Sequence, residues 1–188
     1  MTTLPVASGS NTYKLSYCYC SQRGFYPNDV SKANQDSYCI VERVASDPNT
    51  HLFGIYDGHG EFGDYCSFYA ADQHIEHLER VIKKSKGVTV LDNEKTMAIA
   101  YTESFVGVNN ALHRSDIDDH LSGTTGITVL VRGDVLLVGN VGDSRAIIAT
   151  EVDGKLKYAP LSQDQTPFRK DERDRVKLQG AVGEFGFS

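Results

Sequence analysis

The sequence predicts an α+β fold built from antiparallel strands. Two observations carry this prediction: segments with strand periodicity stand on both sides of a central pair of helical segments, and the later strands are joined by turns of a few residues. Such turns are too short for a crossover helix, so a doubly wound parallel sheet is excluded. With 188 residues, 40% of them hydrophobic and 23% charged, the chain has enough apolar surface for one globular core.

The first third of the chain predicts a leader followed by three strands. Residues 1–12 are small and polar, and we expect them to form a flexible leader. Apolar and small residues alternate over 14–20, which predicts the first strand, and further strands are expected over 37–42 and 51–56. Glycine, proline, asparagine and aspartate between 24 and 29 mark a loop after the first strand.

Two amphipathic helices are predicted next, over 64–86 and 93–112. Apolar residues recur in both at intervals of three, four or seven, and we expect these stripes to face the core rather than a ligand. Gly87 after a run of lysines favours a helix end at that point. The stripes are Tyr65, Phe68, Ile75, Leu78 and Ile82, then Met97, Tyr101, Phe105, Val108 and Leu112; the lysines are Lys83, Lys84 and Lys86.

The last part of the chain returns to strands and closes with a short helix. The Asp153-Gly154 pair predicts a tight hairpin turn. Pro167 opens a helix over 168–179, which Gly180 ends. The predicted strands are 125–131, 135–141, 145–150 and 156–158, with Arg132-Gly133-Asp134 as the turn between the first two.

Composition excludes several classes of partner. A net charge of -6 and a pI near 5.5 argue against nucleic acid, and the longest apolar runs are far too short to span a membrane. No feature of the sequence indicates oligomerisation, so we expect a monomer. The four cysteines, which form no CxxC pair, are expected to be buried, inert thiols of a cytoplasmic or nuclear protein. They are Cys18, Cys20, Cys39 and Cys66.

The segment over 53–60 carries the strongest chemical signal. An apolar strand runs into Asp57, whose carboxylate is a hard oxygen ligand suited to Mg²⁺ or Mn²⁺. Gly58 has no side chain, so its carbonyl is free to approach an ion. His59 carries an imidazole, a group suited to passing a proton to a leaving group. The alternative is a plain turn rich in aspartate and glycine.

Three further segments offer weaker signals. Asp36, just before a predicted strand, is either a metal ligand or an Asx-turn residue. Asp143 is either a ligand, with Arg145 as its candidate partner, or part of a hairpin turn. The Ser122-Gly-Thr-Thr125 segment starts a strand, and the absence of a histidine partner for Ser122 argues against a serine hydrolase.

Together these segments resemble the metal-dependent protein serine/threonine phosphatases of the 2C type. The resemblance runs from Tyr17 to about Gly180, and the sequence motifs at 21–24 and 164–167 are similar to those of plant and protist members. The matching pieces are Ala33-Asn-Gln-Asp-Ser37, Phe53 to Gly60, Ser122-Gly-Thr-Thr125, Gly139 to Arg145, Leu161 to Pro167, and Glu172-Arg-Asp-Arg-Val176.

The resemblance implies a fold of two antiparallel sheets packed together and flanked by helices. It implies hydrolysis of phosphoserine and phosphothreonine in protein substrates by a water that two Mg²⁺ or Mn²⁺ ions activate. Asp57 resembles the aspartate that bridges both ions, and Gly58 the carbonyl ligand. His59 resembles the general acid, Asp36 the residue that holds a metal-bound water, and Asp143 an aspartate of a third, weaker ion.

Two positions depart from the family pattern near this site. Gln35 stands where many members carry glutamate; its amide is able to hold a metal-bound water but brings no charge. Ser31 stands where a phosphate-binding arginine often sits. We assign the phosphate-binding charge to Lys32, with Arg23 as the alternative.

The largest departure concerns two metal aspartates that the family supplies from the second half of its domain. The only Asp-Gly pairs here are Asp57-Gly58 and Asp153-Gly154, and the one Asp-Asn pair, Asp92-Asn93, comes too early. After Gly180 the sequence no longer follows the pattern expected of the family. We therefore expect 13–188 to be an incomplete 2C-type domain that lacks its C-terminal part and is weakly active or inactive. The alternative is a non-catalytic, phosphatase-like binding or regulatory fragment.

Overall fold

The structure is a computed structural model that describes residues 1–85 and 87–181. Short 3₁₀ turns lie at Val44–Ser46 and Val88–Asp92. The strands and helices, in chain order, are β1 (Thr2–Ser8), β2 (Asn11–Tyr17), β3 (Asp36–Val41), β4 (Thr50–His59), α1 (Gly63–Lys84), α2 (Glu94–Leu112), β5 (Gly123–Thr124), β6 (Gly126–Arg132), β7 (Val135–Val141), β8 (Ile147–Val152), β9 (Lys155–Pro160) and α3 (Lys170–Leu178).

The main sheet is antiparallel throughout and has the order β3-β4-β6-β7, with β5 paired to the end of β4. The pairs β1–β2 and β8–β9 form two separate hairpins. Strand β4 is the longest and has a neighbour on each side, which fixes its position in the sheet. The predicted α+β class, with antiparallel sheets packed with helices, is confirmed.

Helices α1 and α2 pack together, and α1 lies against β3 and β4. Alternate residues of β4, Leu52 and Tyr56 among them, point from the sheet into this layer and are almost fully buried. Removing these apolar side chains from water is the main stabilising term of the fold. The core residues are Val44, Leu52, Leu78, Ile82, Leu91, Tyr101 and Leu130, with a second cluster of Tyr56, Ala70, Ala71 and Val108.

The N-terminal segment is a strand, so the expectation of a flexible leader over 1–12 is wrong for Thr2–Ser8. Strand β1 pairs with β2 along its full length, from Thr2 opposite Tyr17 to Ser8 opposite Asn11. Val6 is 0% exposed, and this buried apolar side chain anchors the hairpin. The turn uses Gly9 at φ 57°, a left-handed conformation that glycine adopts without strain.

The buried face of α1 differs from the predicted one. Ile75, Leu78 and Ile82 pack inward as expected, but Tyr65 and Phe68 are 60% and 69% exposed. Small side chains occupy the face towards the sheet because the helix approaches the strands closely there. The buried residues of α1 are small over its first half, Gly63, Cys66, Ser67, Ala70 and Ala71, and larger after that, His74, Leu78 and Ile82. The helix ends at Lys84, and Lys86 lies outside the described residues.

The cysteines are not all buried. Cys66 is buried and Cys39 half-buried, but Cys18 and Cys20 are exposed, because β2 ends at Tyr17 and the chain leaves the hairpin there. The predicted strand over 14–20 is therefore three residues too long at its C-terminal end. In the part of the chain that the structure describes, no helix has the length and apolar character needed to cross a membrane.

The C-terminal elements occur close to their predicted positions. Hairpin β8–β9 turns at Asp153 and Gly154, both in the left-handed region, and its side chains are exposed on both strands. The last helix is shorter than predicted and has no buried residue. The predicted loss of family wording after Gly180 falls largely on 182–188, which lie outside the described residues.

Candidate active site

Two of the predicted acidic residues face each other across neighbouring strands. Asp36 opens β3, and Asp57, near the end of β4, is its direct partner in the antiparallel register. Opposed residues of such a pair project from the same face of the sheet, about 5 Å apart at Cβ. The predicted strand over 51–56 continues to His59, so Asp57 and His59 belong to the strand rather than to a turn after it.

Asp143 is the third acidic residue of this region, and its charge, like that of Asp36, acts on Asp57. The pKa of Asp57 is raised, first by partial burial and then by the negative charges of Asp36 and Asp143, while His59 acts in the opposite direction. Carboxylates that repel one another at a strand end form a site that a cation would stabilise. Asp36, His59 and Asp143 therefore all lie within electrostatic reach of Asp57.

Gly58 is required by packing as well as by any role as a ligand. A Cβ at this position would lie 2.0 Å from the carbonyl oxygen of Gly63 and 2.6 Å from that of Gln35. Its N–H donates to the Gln35 carbonyl at 3.1 Å. The backbone of β4, the start of β3 and the first turn of α1 therefore meet at a point where no side chain fits.

Thr125 joins Asp57 to the segment that carries Asp143. Its N–H donates to the Asp57 carbonyl at 2.9 Å, and its Oγ1 accepts from the Asp57 N–H at 3.0 Å. The same hydroxyl is hydrogen-bonded to Ser144 Oγ at 2.7 Å. The sequence indicated only a strand start at this position, and the residue's place between two candidate ligands was missed.

Gln165 brackets the end of β7, immediately before Asp143. Its Oε1 accepts from the Gly142 N–H at 2.9 Å, and its own N–H donates to the Gly142 carbonyl at 3.0 Å. Its Nε2 donates to the Asn140 carbonyl at 3.3 Å. The chain returns to this strand end more than twenty residues later, so periodicity gave no signal for the contact.

Arg145 pairs with Asp164 instead of the predicted Asp143. Its Nε and Nη2 donate to the two carboxylate oxygens of Asp164 at 2.9 and 2.6 Å, in the parallel geometry that a guanidinium favours. This pair lowers the pKa of Asp164 and fixes the segment before Gln165. Asp143 is therefore left available to a cation rather than neutralised by Arg145.

Of the two candidate phosphate-binding cations, Lys32 lines the site. Its Nζ lies 4.2 Å from the ring centroid of Tyr26, at a polar cavity of about 130 Å³ that Asp36 and Asp57 also line. The Arg23 guanidinium is engaged elsewhere, because Nη1 donates to the carbonyls of Val30 and Lys32 at 2.5 and 3.1 Å. Arg23 therefore shapes the loop on which Lys32 stands.

The donor chemistry of the site fits a hard divalent cation. Carboxylate and carbonyl oxygens are the ligands that Mg²⁺ and Mn²⁺ prefer, and the small cavity between Lys32, Asp36 and Asp57 is polar. Within the described ranges, no three histidine, cysteine, aspartate or glutamate side chains are arranged as a finished metal-binding group. The described residues thus supply part of a coordination shell.

Comparison with known proteins matches most of the chain to one family. The family model described as protein phosphatase 2C matches residues 26–186. Probable protein phosphatase 2C 35 of Arabidopsis thaliana is 46% identical over 172 residues, covering 92% of this chain and 47% of that protein. Probable protein phosphatase 2C 56 of Oryza sativa subsp. japonica is 30% identical over 175 residues, covering 93% and 45%.

A solved structure shows the same fold. The serine-threonine phosphatase 2C from Toxoplasma gondii superposes with a TM-score of 0.64 at 19% identity, covering 78% of this chain and 50% of that one. At this identity the likeness speaks for the fold alone. The chain spans about half the length of the curated relatives it matches.

Proposed function

Because this chain belongs to the protein phosphatase 2C family, we propose that its site serves the hydrolysis of phosphoserine and phosphothreonine in proteins. The observation that carries the proposal is the pair of opposed carboxylates, Asp36 and Asp57, at a polar cavity that also presents the Lys32 ammonium. Negative groups that attract divalent cations and a positive group that attracts phosphate stand side by side. That combination suits a phosphate ester bound through metal ions.

In this proposal Asp36, Asp57, Asp143 and the Gly58 carbonyl hold Mg²⁺ or Mn²⁺. The bound ions supply an acidic water as nucleophile and neutralise charge on the phosphate. Partial burial and, after it, repulsion from Asp36 and Asp143 raise the pKa of Asp57, and a divalent ion among these carboxylates would remove that repulsion.

His59 would act on the leaving oxygen of the serine or threonine. It lies two residues after Asp57 on the same strand, so both side chains project from the same face of β4. A protonated imidazole is able to give its proton to an alkoxide as it leaves. The Lys32 ammonium would meanwhile hold the non-bridging phosphate oxygens as a point charge.

The described residues offer fewer ligands than two octahedral ions need, and the chain spans about half of its relatives. We therefore propose weak or no turnover for this chain by itself. The alternative function, capture of a partner or phosphoprotein without hydrolysis, is favoured by the same two observations.

The test is Mn²⁺-dependent hydrolysis of a phosphothreonine peptide by the purified chain, with Mn²⁺ uptake followed by calorimetry. We expect measurable Mn²⁺ binding that Asp57→Asn abolishes and that Asp153→Asn, in the exposed hairpin turn, leaves unchanged. Turnover lost in Asp57→Asn supports a working site. Absence of both turnover and Mn²⁺ uptake contradicts the phosphatase proposal for this chain, and phosphopeptide capture that survives Asp57→Asn supports the binding alternative.

A further inference from the structure

Gln35 is bonded through both its main chain and its side chain to the segment that carries Asp57, Gly58 and His59. Its side-chain Nε2 donates to the carbonyl oxygen of Gly60 at 2.6 Å. Its main-chain carbonyl accepts from the Gly58 N–H at 3.1 Å. One residue on the loop before β3 therefore holds the end of β4 at two points, on either side of His59.

The backbone of Gln35 is itself held by a hydrogen bond from helix α1. The hydroxyl of Ser67, which is 0% exposed, donates to the Gln35 carbonyl at 2.6 Å and lies 3.0 Å from Ser37 Oγ. This buried hydroxyl contacts both Gln35, the last residue of the loop, and Ser37 in β3, and so restrains the start of the strand. The side-chain amide of Gln35 thus starts from a rigid base.

On the side of α1 the amide group of Gln35 is closely packed. A Cβ on Gly63 would lie 2.9 Å from Gln35 Nε2 and 2.8 Å from the carbonyl carbon of Gly58. The Gly60 carbonyl that accepts from Gln35 also accepts from the Gly63 N–H at 3.4 Å. The amide is therefore part of the packing that turns the chain from β4 into α1.

Of glutamine and ionised glutamate, only glutamine is able to make this contact. A carboxamide has an N–H donor, whereas an ionised carboxylate has acceptors only. A glutamate at position 35 would place a charged oxygen against the Gly60 carbonyl oxygen, where the Gln35 nitrogen now lies. The role suggested by the sequence, an amide that holds a metal-bound water, uses the other atom of the group, because such a water donates its protons and the amide oxygen accepts them.

We propose that Gln35 is a positioning residue. Its side-chain amide fixes the Gly60 carbonyl, and by holding this part of the chain it also fixes the Gly58 carbonyl in the position from which it would bind a cation. The second half of this statement rests on the proposed function of the site. Compared with a glutamate at position 35, this chain has one negative charge fewer near the site. In return, the amide of Gln35 fixes the backbone turn. Cation binding would depend on the donor of Gln35 rather than on its size.

The test compares Gln35→Met, which has similar length and no donor, and Gln35→Glu with the wild-type chain. The first readout is amide hydrogen exchange of Phe62 and Gly63 in metal-free protein. Loss of one hydrogen bond predicts roughly tenfold faster exchange in Gln35→Met and a larger increase in Gln35→Glu. Gln179→Met, at the exposed end of α3, is the matched control and should exchange like the wild type.

The second readout is Mn²⁺ alone, by calorimetry and by the electron paramagnetic resonance spectrum of the bound ion, which depends on the geometry of its ligands. We expect about tenfold weaker binding in Gln35→Met and an altered spectrum. Wild-type exchange in Gln35→Met would overturn the proposal. So would faster exchange with unchanged Mn²⁺ affinity and spectrum, because Gln35 would then be structural only. A wild-type chain that takes up no Mn²⁺ defeats the proposed function, while the exchange data still decide whether the amide holds the turn.

Discussion

Tyr56 and His74 are hydrogen-bonded inside the interface between the sheet and α1, with Oη 2.8 Å from Nδ1 and exposures of 2% and 1%. Burial raises the pKa of the Tyr56 phenol and lowers that of the His74 imidazole to about 4, so Tyr56 donates and the imidazole accepts. The other ring nitrogen lies 3.2 Å from Ser104 Oγ, whose hydroxyl donates to the Tyr101 carbonyl at 2.8 Å. With His74 neutral, each group in this series of hydrogen bonds has a partner. The series begins at Tyr56, the residue before Asp57.

The stability of the fold should therefore fall as the pH drops from about 6.5 towards 4. In the unfolded chain His74 takes up a proton near its usual pKa of 6.5, whereas the folded state excludes that proton until about pH 4. The unfolded state binds more protons in this window, so acid favours it, by roughly 3 kcal/mol across the full interval. Denaturant unfolding at pH 7, 6 and 5 measures the effect. His74→Gln should flatten the pH dependence, and His120→Gln, at an exposed position, should keep it. Equal slopes in all three proteins would contradict this prediction.

Gly58→Ala should disrupt the junction of β3, β4 and α1. The added methyl group would lie 2.0 Å from the Gly63 carbonyl oxygen, and backbone atoms are unable to move aside cheaply. We expect a loss of about 3 kcal/mol or more in the free energy of unfolding. Gly154→Ala, at φ 71° in an open hairpin turn with nothing within 4 Å, should cost only about 1 kcal/mol. Similar losses in the two variants would show that the contact at Gly58 is not limiting.

Asp36→Asn should stabilise the metal-free protein while weakening its response to Mn²⁺. Asp36 and Asp57 are directly opposed, and like charges in such a pair cost about 0.2–1 kcal/mol. Neutralising one of them relieves the repulsion when no cation is present. Thermal unfolding in chelator and again in Mn²⁺ gives both values. A metal-free midpoint below that of the wild type, or an undiminished rise with Mn²⁺, would speak against the shared cation site.

Gln165→Leu should loosen the turn that presents Asp143. The leucine leaves the Gly142 N–H and the Asn140 carbonyl without their side-chain partner, at a cost of about 1–2 kcal/mol in unfolding free energy. We also expect faster amide exchange at Gly142. Gln163→Leu is the matched control, because that side chain is exposed two residues away. Equal stability of the two variants would show that the bracket around β7 adds little.

Local patterns along the sequence predicted those parts of the site that one segment determines. An apolar run ending in Asp-Gly-His-Gly placed Asp57, Gly58 and His59 at a strand end, since strand periodicity and turn residues are read over a few positions. The pairing of Asp36 with Asp57 was not predicted, because it depends on the register between two strands. The strand boundary at residue 56 was wrong, because pairing with β5 carries β4 on to His59.

Contacts between distant segments escaped prediction for a physical reason. The partner of Arg145 is Asp164, nineteen positions away, and no spacing rule distinguishes it from the nearer Asp143. Likewise, the inward face of α1 was misjudged at Tyr65 and Phe68, because close approach to the sheet selects small side chains over large apolar ones. The distance between two packed elements is set by the tertiary structure, so periodicity alone leaves it open.

Strand β4 contains both buried core residues and candidate site residues in one continuous run of ten residues, from Thr50 to His59. Leu52 and Tyr56 are packed under the helices, and Asp57 follows with no linker between them. Asp57 therefore keeps its place for as long as β4 stays packed under the helices. If the proposed cation site exists, binding through Asp57 would accordingly require a natively folded β4, and misfolded molecules in a preparation would lower the measured stoichiometry of cation uptake.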